Sequence, residues 1–353
     1  MLHKDNFAHI PIKFNSILTM FHRIMTCAAA LLIAGSVFGQ APGPHHRHRP
    51  KFDPYAPTVH DPVLAKEGDT YYLYCTGMGI DAFSSTDLKK WEKLAPCIKE
   101  LPQWISEALP GARNHLWAPD IIHHNGEWHL YYACSAFGKN TSVIGHATSL
   151  TLDPKSPDYR WTDRGMVIQS VPNRDDWNAI DANIIIDENG TPWMDFGSFW
   201  NGLKLVKLTP DMSSVAKPEE WYSIASRPGT AGKNDGAIEA PFIYRHGDWY
   251  YLLVSWDYCC RGRDSNYKVA VGRSKNVEGP YLDKEGKDMA HGGGTVILEG
   301  DGEKWAGAGH CAAYTIDGKD IFVSHAYDKK TGRSQLLVRP ITWSNDGWPQ
   351  IAL

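Results

Sequence analysis

The feature that most constrains the fold of this chain is a motif that recurs five times, about every 60 residues. Each copy has an acidic or polar residue, a short apolar segment, a turn with Gly and an aromatic-rich strand, as in His60-Asp61-Pro62 followed by Gly68-Asp69 and TYYLY. Asn-Gly and Gly-Asp pairs between apolar runs are typical of β-hairpins. The repeat therefore predicts five hairpins, whose leading polar residues are Asp61, Asp120, Asp181, Glu239 and His310.

Further strand-like segments follow the hairpins, such as TSVIGHATS (141–149) and YKVAVGRS (267–274). Four strands in each of five units of about 60 residues predict an all-β fold, a five-bladed β-propeller. A β-sandwich with irregular insertions is the alternative. The first strand of each propeller blade lines the central channel, so the five leading polar residues should converge on one face of the molecule.

The composition favours a carbohydrate partner. The chain has 14 Trp, 16 Tyr and 11 Phe beside 32 Gly and 22 Pro, which suits short strands, many loops and rings on which sugars can stack. The formal net charge is −4 and there is no long basic run. A protein that binds nucleic acid by neutralising phosphates normally presents a basic face, so we expect no nucleic-acid partner.

Three of the leading residues, Asp61, Asp181 and Glu239, differ from ordinary surface acids. Each stands beside Pro or Ala at the same phase of the repeat, with no Lys or Arg within four residues. Carboxylates that lie close together raise one another's pKa, so that one can remain protonated and serve as an acid. Cleavage of a glycosidic bond needs an acid for the leaving oxygen and a base for water. The pattern therefore predicts a glycoside hydrolase site.

The first 55 residues are predicted to lie outside the catalytic domain. Residues 25–39 form an uncharged apolar run that is typical of a signal-peptide core and short for a membrane span, so we assign 1–39 to a signal peptide. Residues 40–55, with a His- and Arg-rich cluster, read as a flexible linker, and 56–353 as the propeller. Cys27 precedes the apolar run, which argues against a lipoprotein anchor. We expect an exported monomer, periplasmic or extracellular, without a membrane anchor.

Six cysteines remain after residue 39, and their sequence positions allow fifteen pairings. A bond between the adjacent Cys259 and Cys260 would need an eight-membered ring. Free buried thiols are at least as well favoured for the other four. There is no C-x-x-C pair, so we expect no structural zinc site.

Five motifs in this order resemble glycoside hydrolase family 43, and within it most closely the endo-α-1,5-L-arabinanases. The motifs are His60-Asp61-Pro62, Leu116-Trp117-Ala118-Pro119-Asp120, Asn178-Ala179-Ile180-Asp181, Gly197-Ser198-Phe199-Trp200 and Ile238-Glu239-Ala240-Pro241. The resemblance implies a five-bladed propeller that cleaves internal bonds of arabinan, a side chain of pectin, with inversion. It implies that Asp61 is the general base, that Glu239 is the general acid, and that Asp181 tunes the acid's pKa and holds its orientation.

The resemblance also implies a metal and a set of sugar contacts. His310 matches a histidine that in arabinanases reaches a metal on the propeller axis, usually calcium; a histidine hydrogen-bonded to Asp61 or to water is the alternative. The residues implied to contact substrate by stacking or hydrogen bonding are His60, Trp117, Phe137, Asn178, Asn183, Ser198 and Trp200.

Three other functions fit the same repeat. One is an exo-acting α-L-arabinofuranosidase or β-xylosidase with the same catalytic residues. Another is a retaining enzyme that acts on fructan or sucrose, whose carboxyl groups would lie closer together. The last is a non-catalytic sugar-binding propeller, which the presence of all three acids disfavours.

Overall fold

The computed structural model describes residues 52–229 and 236–353, and nearly all of the regular structure in them is β-strand. The predicted signal peptide, 1–39, and residues 40–51 of the predicted linker lie outside the described residues. Of the helices in the described chain, the longest is α1 (Gln103–Ala108), and two 3-10 turns lie at Gly262–Asp264 and Met289–His291. None of them approaches the length needed to span a membrane.

All but the last two strands of the described chain form five antiparallel sheets, which are the blades of a five-bladed propeller. The first two blades contain β1 (Val63–Glu67), β2 (Thr70–Cys75), β3 (Gly77–Met78), β4 (Asp81–Ser85) and β5 (Glu92–Lys93), and then β6 (His115–His124), β7 (Glu127–Cys134), β8 (Ser142–Ser149) and β9 (Thr162–Ser170). The short β3 pairs with β6, so it belongs to the second blade.

The third and fourth blades have four strands each. They are β10 (Asn183–Ile186), β11 (Pro192–Phe196), β12 (Leu203–Lys207) and β13 (Trp221–Ala225), and then β14 (Ile238–His246), β15 (Trp249–Trp256), β16 (Lys268–Ser274) and β17 (Thr295–Leu298). The predicted hairpin turns are present: in all five blades the first two strands pair directly.

The fifth blade departs from the prediction of four strands, because it has three: β18 (Trp305–Ile316), β19 (Lys319–Asp328) and β20 (Ser334–Pro340). After β20 the chain forms a separate small hairpin of β21 (Thr342–Trp343) and β22 (Pro349–Gln350). Trp343 of this hairpin stacks on His246, with ring centroids 3.8 Å apart, and contacts Tyr251. The hairpin therefore buries its aromatic residues against the fourth blade instead of extending the fifth.

The ring of blades is closed through its inner strands. Each first strand contacts the first strand of the next blade, and β18 of the last blade contacts β1 of the first. The segment just before the first blade reinforces this closure, because the Leu336 amide of β20 donates a hydrogen bond to the carbonyl of Pro57. Phe52 stacks on Phe83 and the Pro54 carbonyl accepts from Trp91. Residues 52–55, predicted as linker, thus contact the first blade.

Each blade has, within its first inner strand or two residues before it, a residue in the left-handed region of backbone space, which non-glycine residues seldom adopt. The five residues are Asp61, Ala118, Asp181, Ala240 and His310, with φ between 41° and 59°. At Ala118, Ala240 and His310 the pairing register also shifts, which marks β-bulges; such bulges re-aim side chains and concentrate near active sites.

One prediction from the repeat, the place of Asp120, is wrong. Asp120 was expected to face the channel with the other leading residues, but the residue at the bulge in the second blade is Ala118. Asp120 lies two residues further on, where its buried carboxylate accepts hydrogen bonds from the Ile184 amide (2.7 Å) and from Asn183 Nδ2 (3.1 Å) of the next blade. Asp120 therefore joins two blades.

Cys259 and Cys260 are bonded to each other, and the other four cysteines of the described chain, Cys75, Cys97, Cys134 and Cys311, are free and buried. The sequence allowed either a bond between adjacent cysteines or free buried thiols, and the described chain contains both.

Candidate active site

Asp61 is held by three side chains at the start of the first blade. Its Oδ1 lies 2.9 Å from Nδ1 of His60 and 3.0 Å from Nδ1 of His310, and its Oδ2 accepts a 2.5 Å hydrogen bond from Thr76. Burial alone would raise the pKa of Asp61, but the charge and hydrogen bonds of His310 and then His60 hold it well below its usual value. Asp61 is therefore ionised near neutral pH, as a base must be.

Glu239 is held by two hydroxyl groups. Tyr267 donates to Oε1 at 2.7 Å and Ser198 donates to Oε2 at 3.0 Å. Both hydrogen bonds favour the charged form, but burial outweighs them and raises the pKa of Glu239. A carboxyl group with a raised pKa retains its proton nearer to neutral pH, which is what a general acid needs.

Asp181 is connected to the backbone that carries Glu239. Its Oδ2 accepts a 3.2 Å hydrogen bond from the amide of Ala240. Ala240 is the residue after Glu239 and lies at the bulge. Burial raises the pKa of Asp181 well above its usual value; the attraction of His310 opposes this, and repulsion by Glu239 and Asp61 adds to it. Asp181 thus holds the strand of Glu239 and influences the local charge.

His310 lies among the three carboxyl groups. Its backbone amide donates to Ser255 at 2.8 Å and its Nδ1 contacts Asp61, whereas Nε2 reaches solvent and has no hydrogen-bond partner among the described residues. Burial by itself would lower the pKa of His310, but Asp61, followed by Asp181 and Glu239, raises it to about 9. The contact with Asp61 is the one expected under the alternative role for His310.

An ionised carboxylate at the start of the first blade and a carboxyl group with a raised pKa in the fourth blade are the kind of pair that glycoside hydrolysis requires. The sequence model of glycosyl hydrolases family 43 matches residues 55–349 of this chain. The chain belongs to glycosyl hydrolase family 43.

Relatives within family 43 act on arabinan. The chain is 52% identical over 299 residues to an extracellular exo-α-(1→5)-L-arabinofuranosidase of Cellvibrio japonicus, covering 83% of this chain and 86% of that protein. It is 42% identical over 296 residues to an extracellular endo-α-(1→5)-L-arabinanase of Bacillus subtilis, covering 82% and 87%. The solved structure of a Cellvibrio cellulosa α-L-arabinanase in complex with arabinohexaose aligns with a TM-score of 0.81 at 50% identity, covering 84% and 96%. The chain is therefore a glycoside hydrolase with arabinanases and an arabinofuranosidase among its relatives.

Two of the residues predicted to contact sugar, His60 and Asn183, use their polar atoms in contacts within this family 43 protein. Both ring nitrogens of His60 are engaged, Nδ1 by Asp61 and Nε2 by the hydroxyl of Tyr327 at 2.6 Å, which leaves none for a sugar. Asn183 is 3% exposed; its Nδ2 donates to Asp120 and its Oδ1 accepts from the Ile243 amide at 2.9 Å. These contacts place His60 against Asp61 and Asn183 between blades, and a sugar contact of either residue stays a prediction.

The other predicted sugar-contacting residues retain groups that can bind. Ser198 donates to Glu239 and keeps its acceptor lone pairs, and Asn178 uses Oδ1 to accept from Ser142 at 2.6 Å. Trp117 donates its indole N–H to His115, so its ring face is the part available for stacking. Phe137 and Trp200 are 81% and 46% exposed, which is unusual for large apolar side chains.

Several functional residues of the site were missed by the sequence analysis. Apart from Tyr267, on the loop just before β16, they lie on the second strand of a blade or directly after it. In an antiparallel hairpin the second strand ends where the first begins, so its last residues return to the same face as Asp61 and Glu239. That signal was present in the sequence and was not used. The missed residues are Thr76, Ser255, Tyr267, His325 and Tyr327.

Proposed function

We propose that this protein hydrolyses α-1,5-linked L-arabinan with inversion at the anomeric carbon. The observation that carries the proposal is the division of labour between two buried carboxyl groups, a depressed pKa at Asp61 and a raised pKa at Glu239. The family 43 membership and the arabinan-active relatives support the substrate.

The contacts define a role for each group. Asp61 accepts a proton from the attacking water, and Glu239 donates a proton to the glycosidic oxygen as the bond breaks. Tyr267 and Ser198 fix the two oxygens of Glu239, while Asp181 holds the next peptide through the Ala240 amide. Thr76 and the two histidines fix Asp61.

The mode of attack is proposed from the relatives. The sequence motifs predicted endo action, but the relative at 52% identity is named as an exo enzyme and the one at 42% as an endo enzyme. We therefore propose release of short products from chain ends, with internal cleavage as the second candidate. The relatives are named extracellular, which together with the apolar run at 25–39 supports export. A monomer without a membrane anchor remains our proposal, to be checked by size-exclusion chromatography of the secreted protein.

Product analysis on linear arabinan tests these proposals. Proton NMR during early turnover should show the inverted anomer, and reducing ends should rise while viscosity falls slowly. A steep early fall in viscosity would indicate endo action. Activity on sucrose with a retained anomer, or no activity on arabinan and arabinoxylan, would contradict the proposed function.

We also propose, as the family resemblance implies, that His310 binds a hydrated calcium ion once Nε2 has lost its proton. The only protein ligand would be Nε2 of His310, which reaches solvent and has no protein partner in the described chain; waters would supply the oxygen ligands that calcium prefers. The ion would add positive charge beside the base when bound.

Ligand-linked stability tests this site. After dialysis against EDTA, saturating calcium should raise the Tm of the wild-type protein by a few degrees, because an ion that binds only the folded state stabilises it. The same addition should leave His310→Gln unchanged. An equal rise in both proteins would place the ion elsewhere, and no rise in either would argue against calcium.

A further inference from the structure

The loop after β15 carries the bonded pair Cys259 and Cys260 to the edge of the active site. Cys260 is exposed, and its Sγ lies 3.9 Å from Nε2 of His60. Its backbone amide donates a 2.7 Å hydrogen bond to the hydroxyl of Tyr327, which in turn contacts Nε2 of His60 at 2.6 Å. The disulfide is thus two hydrogen bonds away from the histidine that holds the base.

The amide of Cys260 and the carboxylate of Asp61 stand at the two ends of this chain of contacts, one only donating and the other only accepting. An amide can only donate, so the Tyr327 oxygen accepts from it and its own O–H is free to donate to Nε2 of His60. His60 must then carry its proton on Nδ1, from which it donates to Oδ1 of Asp61. The carboxylate of Asp61 requires this tautomer, and the peptide group of Cys260 supports it from the other side of the ring through Tyr327.

This arrangement determines which lone pair of Asp61 can take a proton from water. Oδ1 accepts from His60 and His310, and Oδ2 accepts from Thr76. A carboxylate has about four acceptor positions, so the one left is on Oδ2. A rotated His60 would release an Oδ1 lone pair and let the carboxylate turn. Stacking on His325, with centroids 4.0 Å apart, fixes the plane of the His60 ring, and Tyr327 holds it within that plane.

The disulfide explains why the Cys260 amide keeps its direction. Cys260 has a φ of 62°, a left-handed conformation that is unfavourable for a residue with a Cβ. Hydrogen bonds hold Tyr258, the residue before the bonded pair: its amide donates to Asn266 and its carbonyl accepts from Ser265. The ring formed with Cys259 is the covalent constraint on Cys260 itself.

We propose that the Cys259–Cys260 disulfide and Tyr327 are positioning elements for the general base, acting through His60. This inference rests on the proposed function, because it assigns Asp61 as the base. Neither the disulfide nor Tyr327 needs to touch substrate in this role, because both act through His60. Loss of either element therefore lowers kcat and leaves KM nearly unchanged.

The first test replaces Tyr327 by Phe, which removes the hydroxyl and keeps the ring. We expect kcat on linear arabinan to fall about tenfold, with KM within about twofold, since small displacements of a catalytic group are costly. The matched control is Tyr131→Phe, which removes a buried hydroxyl that donates to the Met212 carbonyl between blades. The control should change Tm by a similar amount and leave kcat unchanged.

The second test opens the ring. Dithiothreitol reduces the disulfide by thiol–disulfide exchange: the two sulfurs take up two electrons and two protons, and the reagent closes to its own cyclic disulfide. The other cysteines of the described chain are free, so the reagent has this one target there. Reduction of the folded wild-type protein should lower kcat to the same extent as Tyr327→Phe.

The variant Cys259→Ser/Cys260→Ser should have the reduced activity from the outset and should not respond to dithiothreitol. Combined with Tyr327→Phe it should lose no more than either change alone, because residues that act in one chain are not additive. Combined with Tyr131→Phe the effects on stability should add.

The outcomes separate this inference from the proposed function. A wild-type protein without activity on arabinan would contradict the proposed function. If the wild-type protein is active and its kcat is unchanged by both Tyr327→Phe and reduction, the positioning role is overturned. The same conclusion follows if only KM changes, or if Tyr131→Phe lowers kcat as much as Tyr327→Phe.

Discussion

At the scale of single residues, the same chemical group has opposite properties at two places in the site. Asp61 and Glu239 are both buried carboxyl groups, and burial raises the pKa of each. The difference lies in their partners, because Asp61 faces two imidazoles whereas Glu239 faces two neutral hydroxyl groups. The surroundings therefore give the two groups the opposite pKa directions that the proposed base and the proposed acid need, as in other enzymes with paired carboxyl groups.

Glu239→Gln tests the acid. We expect kcat on arabinan to fall about 10²–10⁴-fold, because the amide cannot supply the proton that the leaving oxygen needs. An aryl arabinoside with a good leaving group should be partly spared, and the Tm should change little. Glu285→Gln, at an exposed position, is the control. Near-normal cleavage of arabinan by Glu239→Gln would remove this residue from the role.

At the scale of strands and blades, buried polar side chains join neighbouring sheets. Asp120 bonds the second blade to the third, and Asn183 continues the connection to the fourth through the Ile243 amide. Asn183→Ala should lower the free energy of unfolding by about 2–4 kcal/mol, because it leaves buried polar groups without partners. Urea unfolding measures this. The KM for arabinan should stay within about twofold; a raised KM with unchanged stability would restore Asn183 to a role in sugar binding.

A histidine pair in the second blade should make stability depend on pH. His146 on β8 lies 3.0 Å from His129 on β7, and burial followed by repulsion from His129 lowers the pKa of His146 to about 3. The unfolded chain takes up this proton below about pH 6.5 and the folded protein does not, so stability is full above pH 6.5 and falls as the pH drops towards 3.

This group alone should cost about 2–3 kcal/mol between pH 7.5 and 4.5. His146→Gln should therefore show a flatter dependence of unfolding free energy on pH than the wild-type protein, whatever its stability at neutral pH. His123→Gln, at an exposed position on the same hairpin, should keep the wild-type slope. Equal slopes in all three proteins would exclude the pair as the source.

At the scale of the whole molecule, the closure of the ring involves the residues just before the first blade. A chain that begins at Phe52 should keep the Tm of the full protein. A chain that begins at Thr58 loses the stacking of Phe52 on Phe83 and the carbonyl acceptors of Pro54 and Pro57, and its Tm should fall by about 5 °C or more. Equal thermal unfolding of the two chains would show that residues 52–57 are not part of the folded unit.

The amino-acid sequence by itself determined the number of blades and the phase of the catalytic residues. The hairpin turns and aromatic strands repeat with a period that a ring of similar sheets accommodates, and Asp61, Asp181 and His310 stand at one position of that repeat, with Glu239 one residue ahead of it. A first strand that lines the channel brings such residues together without any knowledge of loops.

Only the tertiary structure decided which neighbouring side chains complete the site. Asp120 and Ala118 are two residues apart, and the bulge, not the polarity, selects the one that occupies the leading position. Thr76 and Tyr327 lie at strand ends whose partners come from distant parts of the chain. A hydrogen bond depends on distances of a few tenths of an ångström between atoms that folding brings together, and no spacing along the sequence contains that information.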